Sequence, residues 1–227
     1  YLTGVAEISC YGPIQTKASA SLWNFGNDLG FTVLTNAHAV PASAKNCYAN
    51  VRTTASSDES GLPDLGIPYT LDLSNRYSWN SKSDAVVLKI LSPILPNAKS
   101  VGNLNYKLSF LPFCSLRHPL NSQVVIIGYP AFSQKEISIG GVSSMASFLT
   151  VTEGVITAHD SSTLFKGFPD VDYFVSAKID AGNSGGIALS KNENGQLCIL
   201  GIPTWLSLGV YETQGIVQSI HNVFYQE

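Results

Sequence analysis

The stretch DAGNSGGIAL, Asp180 to Leu189, strips the chain of bulk around one serine, Ser184. A serine hydroxyl is a weak nucleophile and attacks a carbonyl only beside a base, usually a histidine that a carboxylate orients. Gly182 stands two positions earlier, where a residue without Cβ lets the backbone turn until its own N–H and that of Ser184 aim at one point. Two amides converging in that way would hold the charge that develops on a carbonyl oxygen under attack. Gly185 and Gly186 clear space behind the hydroxyl. A glycine-rich hairpin with an incidental serine has the same local sequence, so the base and the acid must be found elsewhere.

The histidines differ in context. His38 lies in FTVLTNAHAV, where an apolar strand breaks into small and polar residues, so its ring emerges at the end of a buried strand. His118 (SLRHPL), His159 (TAHDSS) and His221 read as surface or satisfied structural residues. Asp84 in SKSDAVVLKI places an acid at the mouth of a buried strand, a costly position for an unpaired charge. An aspartate that starts a strand or caps a turn fits the same pattern. Asp180 is too close to the serine to reach a distant base and instead braces the loop. GNSGG also satisfies G-x-S-x-G, the nucleophile elbow of a fold with alternating strands and helices, whose acid and histidine follow the serine. After Ser184 there is no aspartate, and only Glu193, Glu212, Glu227 and His221 remain. The elbow reading fails.

The elements that must position these residues are strands. Runs of four to eight or so β-branched and aromatic residues (ASASLWNFG, FTVLTNA, AVVLKIL, VVIIGYP, DYFVSAK, GIALSK, QLCILGIPTW) are bounded by turn formers, among them 19 glycines and 11 prolines. The pattern predicts an all-β barrel or sandwich. Helical spacing is limited to the end of the chain, where Ile216, Ile220, Val223 and Phe224 share a face, and to the turn after His38. Residues 55–65 are polar and read as a loop. A proline-containing seam from Pro93 to Phe113 divides the runs into two comparable sets, and a cleft between two packed units is where a ligand site tends to lie.

Composition excludes several functions. The 227 residues, 44% of them hydrophobic, suffice for a core, and a net charge of -3 with 13 scattered basic residues offers no track for a phosphate backbone. Nucleic acid is therefore not an expected partner. No apolar run reaches the length of a membrane span. The start YLTGVAEISCYG lacks the features of a signal peptide and reads as a processed or trimmed beginning. Cys10, Cys47, Cys114 and Cys198 show no CxxC spacing, so no zinc or redox motif is expected, and both two disulfides and four buried thiols fit. Low charge and an even cysteine count point to an extracytoplasmic or secreted setting. Neither a metal nor a cofactor is called for, and the oligomeric state is left open.

Taken together, TNAHAV, SDAVVLKI and DAGNSGG, with their His, Asp and Ser 46 and then 100 residues apart, resemble the motifs of the chymotrypsin-like serine proteases. The likeness is greatest to the HtrA (Deg) branch and related bacterial trypsin-like peptidases. VVIIGYP, TVTEGVITA, YFVSAKIDAGNSGG and GIPTW extend it over most of Gly30 to Thr204. The resemblance implies a serine endopeptidase on a single domain of two packed six-stranded antiparallel β-barrels, residues 1–95 and 110–227, with a short C-terminal helix. It makes His38 the general base, Asp84 its orienting acid and Ser184 the nucleophile, with Gly182 and Ser184 as the oxyanion-hole amides. Thr204, Trp205 and Leu206 correspond to the segment that pairs with an extended peptide substrate. Lys178 and Ile179 fall near the floor of the primary pocket, where no acid stands to select a basic side chain, and a small or medium apolar residue is expected there. Aligning the strands brings Cys10 to Cys47 and Cys114 to Cys198.

The departures from the pattern matter as well. Digestive members carry an aspartate before the nucleophile, which pairs with a newly cut N-terminus; here that residue is Asn183, which forms no ion pair. The 227 residues end soon after the protease fold, so no PDZ domain is expected within them and the resemblance does not carry HtrA-type regulation and assembly over. Two other readings share the fold: a catalytically silent binding module, and a processing protease cut from a larger polyprotein.

Overall fold

The computed structural model describes residues 2–26, 29–52, 66–131, 135–139, 142–160, 172–208 and 213–224; the loop expected at 55–65 lies outside them. The first six strands are β1 (Val5–Tyr11), β2 (Thr16–Asn24), β3 (Phe31–Thr35), β4 (Asn46–Val51), β5 (Ile67–Leu71) and β6 (Val86–Pro93). They close into an antiparallel barrel in the order β1-β2-β3-β6-β5-β4. Next come β7 (Gln123–Gly128), a two-stranded pair β8 (Lys135–Ile139) and β9 (Val142–Ala146), β10 (Thr150–Asp160), β11 (Asp172–Val175), β12 (Ile187–Lys191), β13 (Leu197–Leu208) and β14 (Thr213–Ser219). A second closed barrel runs β10-β11-β14-β13-β12-β7. This is the chymotrypsin-like architecture. The segment between the barrels, expected to be irregular, carries two 3₁₀ turns, Val101–Asn103 and Lys107–Phe110.

The strands read as nearly continuous apolar runs because both of their faces are covered. In β3, Val33 points into the first barrel while its neighbour Leu34 points at the second. In β7, Val124 and Ile126 fill the second barrel and Ile127 faces the first. Alternation is a property of the backbone, and here each face meets a core. The layer between the barrels, with Leu34, Val87, Ile127, Ile187 and Ile202, fixes how the two halves sit.

The terminal helix is a single turn, α1 (Ile220–Val223). Ile216, expected on its face, belongs instead to β14, opposite Phe174 and Trp205. Among the described residues no helix is long and apolar enough to cross a membrane.

The histidines outside the cleft hold structure together. His118 is buried, with Nε2 3.0 Å from Ser190 Oγ, while His159 and His221 reach the carbonyls of His118 and Cys114. Burial holds the His118 pKa below its ordinary 6.5 and outweighs the opposing pull of the Lys191 backbone and Glu193. The unfolded chain therefore takes up a proton near pH 6.5 that the folded chain resists, so this residue's contribution to stability is present above that pH and is lost as the pH falls below it. Urea unfolding between pH 7.5 and 5 is expected to show this loss, and His118→Asn to flatten the slope. An unchanged slope in the variant would place the acid sensitivity elsewhere.

Candidate active site

Antiparallel pairing of β3 with β6 sets Thr35 opposite Val86, so the residues just after β3 and just before β6 meet at one end of the first barrel. Asn36 leads out of β3 into a 3₁₀ turn, Ala37–Ala39, that carries His38. The His38 N–H donates to Asp84 Oδ1 at 2.9 Å, and His38 Nδ1 lies 2.5 Å from Asp84 Oδ2. The carboxylate thus holds the histidine by backbone and ring together. The Asp84 backbone carbonyl is held in turn by Asn36 Nδ2 at 2.6 Å and by the Ala37 N–H at 3.3 Å.

Ser184 arrives from the second barrel, on the loop between β11 and β12. Its Oγ lies 3.1 Å from His38 Nε2 and 3.4 Å from the Thr204 carbonyl. The ring is about half exposed (47%) and the Asp84 carboxylate is largely covered (14%), so the histidine is open to solvent while the acid behind it is not. The structure thereby brings together three groups from distant parts of the chain.

The loop's shape follows from its glycines and from Asp180. Asp180 caps its own turn, accepting from the Ala181 N–H on its side chain and from the Asn183 N–H on its carbonyl. Gly182 has φ +92°, a left-handed conformation that favours glycine. The Ala181 carbonyl accepts from the Ala131 N–H at 2.6 Å. In a trans peptide the N–H points opposite to the C=O, so the Gly182 N–H is directed away from Ala131. Neither this amide nor that of Ser184 donates to a protein acceptor among the described residues.

Gly185 shows why the stretch is bare. It has φ +82°, and a Cβ there would collide with Thr35 Oγ1 and the Ser19 carbonyl of the first barrel. Gly185→Ala combines a disfavoured φ with overpacking against backbone. It is expected to lower stability by about 3 kcal/mol, about 10 °C in Tm. A melting curve within 2 °C of wild type would refute this close approach.

Of the expected primary-pocket residues, Lys178 is exposed and its carbonyl accepts from Thr152 Oγ1 at 2.7 Å. Ile179 turns inward (9% exposed) into a cluster with Val175, Ala177 and Val217, packs against the Gly215 backbone and shares its surroundings with half-buried Leu206. Thr204 is buried at an irregularity in β13, and its Oγ1 accepts from Asn36 Nδ2 at 3.1 Å. Trp205 lies opposite Ile216 in backbone pairing; its side chain is outside the described residues. Strand β12 pairs with β13 only as far as Gly201, while β14 continues along its other side to Leu208. Beyond Gly201 one edge of β13 therefore has no strand partner among the described residues, on the side from which Ser184 Oγ approaches Thr204.

Disulfides join Cys10 to Cys47, on the paired strands β1 and β4, and Cys114 to Cys198. Two residues at the cleft were not singled out in the sequence: Asn36, which links the Asp84 backbone to Thr204 across the barrels, and Ser19, which contacts the nucleophile loop. The only local signal for either is a polar side chain inside a run of small and apolar residues or at its end.

Two six-stranded barrels with a His-Asp-Ser cluster at their junction define a chymotrypsin-like protein. Residues 18–202 match the trypsin-like peptidase domain family, and the chain belongs to that family: it is a hydrolase of the serine peptidase type, acting on peptide substrates. No curated protein matches the chain. Among solved structures, the inactive form of the Rv3671c protease of M. tuberculosis H37Rv is similar over 97% of this chain and 85% of its own, with 21% identity and a TM-score of 0.56. The HtrA-type protease AlgW, solved with a tripeptide, is similar over 98% of this chain with 18% identity and a TM-score of 0.59. This chain spans 58% of the AlgW chain. At these identities the likeness bears on the fold.

Proposed function

We propose that the protein is an endopeptidase in which Ser184 is the nucleophile, His38 the general base and Asp84 the acid that orients it. The observation that carries this reading is the unbroken line of contacts from Asp84 Oδ2 to His38 Nδ1 and from His38 Nε2 to Ser184 Oγ. In the reaction, Ser184 Oγ attacks the peptide carbonyl as its proton passes to His38 Nε2. Asp84 stabilises the imidazolium, and the oxyanion is received by the N–H groups of Gly182 and Ser184. Collapse expels the amine, which takes the proton from His38, and water then releases the acyl-enzyme by the reverse sequence.

The edge of β13 at Thr204 to Leu206, which has no strand partner among the described residues, supports binding of an extended substrate by strand addition. Inward-facing Ile179 beside Leu206 supports a small or medium apolar residue in the primary pocket, and exposed Lys178 gives no support to an acidic one. A fluorophosphonate probe and a proteome-derived peptide library test the whole reading. Labelling of the wild type, lost in Ser184→Ala and sharply reduced in His38→Ala, is expected, with cleavage after apolar residues. An unlabelled wild type would leave the silent binding module as the better account.

We also propose an extracytoplasmic setting, supported by the two disulfides, since such bonds persist in oxidising compartments. Their loops favour the folded state by constraining the unfolded chain, by about 4 kcal/mol each in the chain-entropy account. Thiol titration in denaturant is expected to find no reactive thiol before reduction and four after it. Four before reduction would reject both bridges and this setting.

A further inference from the structure

Asn183 leaves a question about the nucleophile loop. Where an aspartate would anchor the loop through an ion pair, this residue is 1% exposed and neither Oδ1 nor Nδ2 has a hydrogen-bond partner among the described residues. The side chain before the nucleophile therefore does not tether the loop through a polar contact, yet the loop adopts a shape that leaves the Gly182 and Ser184 amides free.

We infer that Ser19, on β2 of the first barrel, is the positioning residue that holds the oxyanion-hole loop in its working shape. The inference rests on the peptidase reading of Ser184. Ser19 is fully buried (0% exposed). Its Oγ donates to the Gly182 carbonyl at 2.6 Å and accepts from the Tyr129 N–H at 2.8 Å. Its backbone N–H donates to the Ser184 carbonyl at 2.9 Å, and its own carbonyl is fixed by Thr35 Oγ1 at 2.7 Å.

These bonds fix orientation as well as place. A hydroxyl has one proton to give; with the Tyr129 N–H on its lone pair, the Ser19 proton is directed to the Gly182 carbonyl. Ser19 thereby sets the Gly182–Asn183 peptide through its side chain and the Ser184–Gly185 peptide through its backbone, while Ala131 sets the Ala181–Gly182 peptide. Three peptide planes around the nucleophile are thus fixed from outside the loop. Gly182, the residue with the greatest backbone freedom there, is the one whose carbonyl the hydroxyl restrains. In Ser19→Ala, that carbonyl and the Tyr129 N–H both lose a buried partner, and the loop gains access to peptide orientations that spoil the hole.

The test compares Ser19→Ala with Ser21→Ala. Ser21 is two positions along the same strand and equally buried, and its Oγ accepts from Trp23 Nε1 and donates to the Leu34 carbonyl, with no contact to the nucleophile loop among the described residues. Ser19→Ala is expected to lower kcat about 10–100-fold with KM within twofold, and to weaken binding of a peptide boronic acid by the same factor. The NMR resonance of the His38 Nδ1 proton should stay in place. Ser21→Ala should show a similar loss of Tm with kcat unchanged. If Ser19→Ala keeps its kcat within twofold, or if its loss comes with a shifted His38 proton, the inference is overturned. Should Ser19→Ala fail to fold, Ser19→Cys, whose thiol is a poor donor, is expected to show the same loss of kcat, and full activity in it would overturn the inference. A wild type with no turnover and no fluorophosphonate labelling would instead refute the peptidase reading itself.

Discussion

Ser184→Ala is expected to lower kcat roughly 10⁴- to 10⁶-fold and to eliminate covalent labelling, with little change in thermal stability. The two halves of this expectation come from one piece of geometry. Among the described residues, Ser184 Oγ has His38 Nε2 and the Thr204 carbonyl as its hydrogen-bond partners, at 3.1 and 3.4 Å, beside the half-exposed His38 ring. Removing it leaves no deeply buried group without a partner, and the Tm should stay within about 3 °C. The loop itself is kept by backbone bonds, Ser184 O to the Ser19 N–H and the Gly185 N–H to Pro203 O, which alanine retains. Peptide binding along β13 should survive as well, so the variant is expected to bind substrate without cutting it. Residual kcat above a hundredth of wild type would mean that another group attacks the carbonyl.

The three candidate side chains were legible in the sequence because each breaks a local rule: a histidine closing an apolar strand, an acid opening one, and a serine among glycines. The bounded apolar runs made an all-β barrel or sandwich legible, and the resemblance to the chymotrypsin-like proteases supplied the two six-stranded barrels. Strand β5 was not, because Pro68 sits inside it and a proline within a run argues against a strand. Here Pro68 needs no donor, and its carbonyl accepts from the Ile94 N–H at 2.9 Å. The β8–β9 pair was passed over although Gly140 and Gly141, between its strands, are a hairpin signal. Ile216 misled in the other direction: its spacing of four from Ile220 mimics a helical face, yet it is a strand residue followed by one helical turn.

Ser19 and Asn36 were illegible for a different reason. Ser19 bonds to Gly182, 163 positions away, and Asn36 to Asp84 and Thr204, 48 and 168 away. The bonds to Gly182 and Thr204 join two independently patterned barrels. Periodicity reports which face of a strand is buried and says nothing about which backbone carbonyl on the other barrel a small hydroxyl will meet. Residues that do chemistry leave a trace in their own neighbourhood; residues that position them at a distance leave almost none.

Asp84→Asn separates orientation of the histidine from folding. Both carboxylate oxygens are committed: Oδ1 accepts from the His38 N–H, and Oδ2 faces His38 Nδ1. In the variant, the backbone N–H still requires an acceptor, so the amide oxygen takes the Oδ1 position and the NH₂ group is turned toward the ring. An NH₂ group donates, and Nδ1 can accept only when it carries no proton. The neutral imidazole then keeps its proton on Nε2, the nitrogen that must receive one from Ser184. The base is present in the right place and in the wrong tautomer, for which a loss of about 10⁴-fold in kcat is expected, with fluorophosphonate labelling slowed in step. The pair it replaces is partly open to solvent through the half-exposed ring, so the cost to the fold should stay near that of a surface ion pair, about 1 kcal/mol or less. A fall in activity with the melting curve nearly in place would therefore trace the effect to the proton on the ring, whereas a variant within tenfold of wild type would mean that His38 is oriented by something other than Asp84.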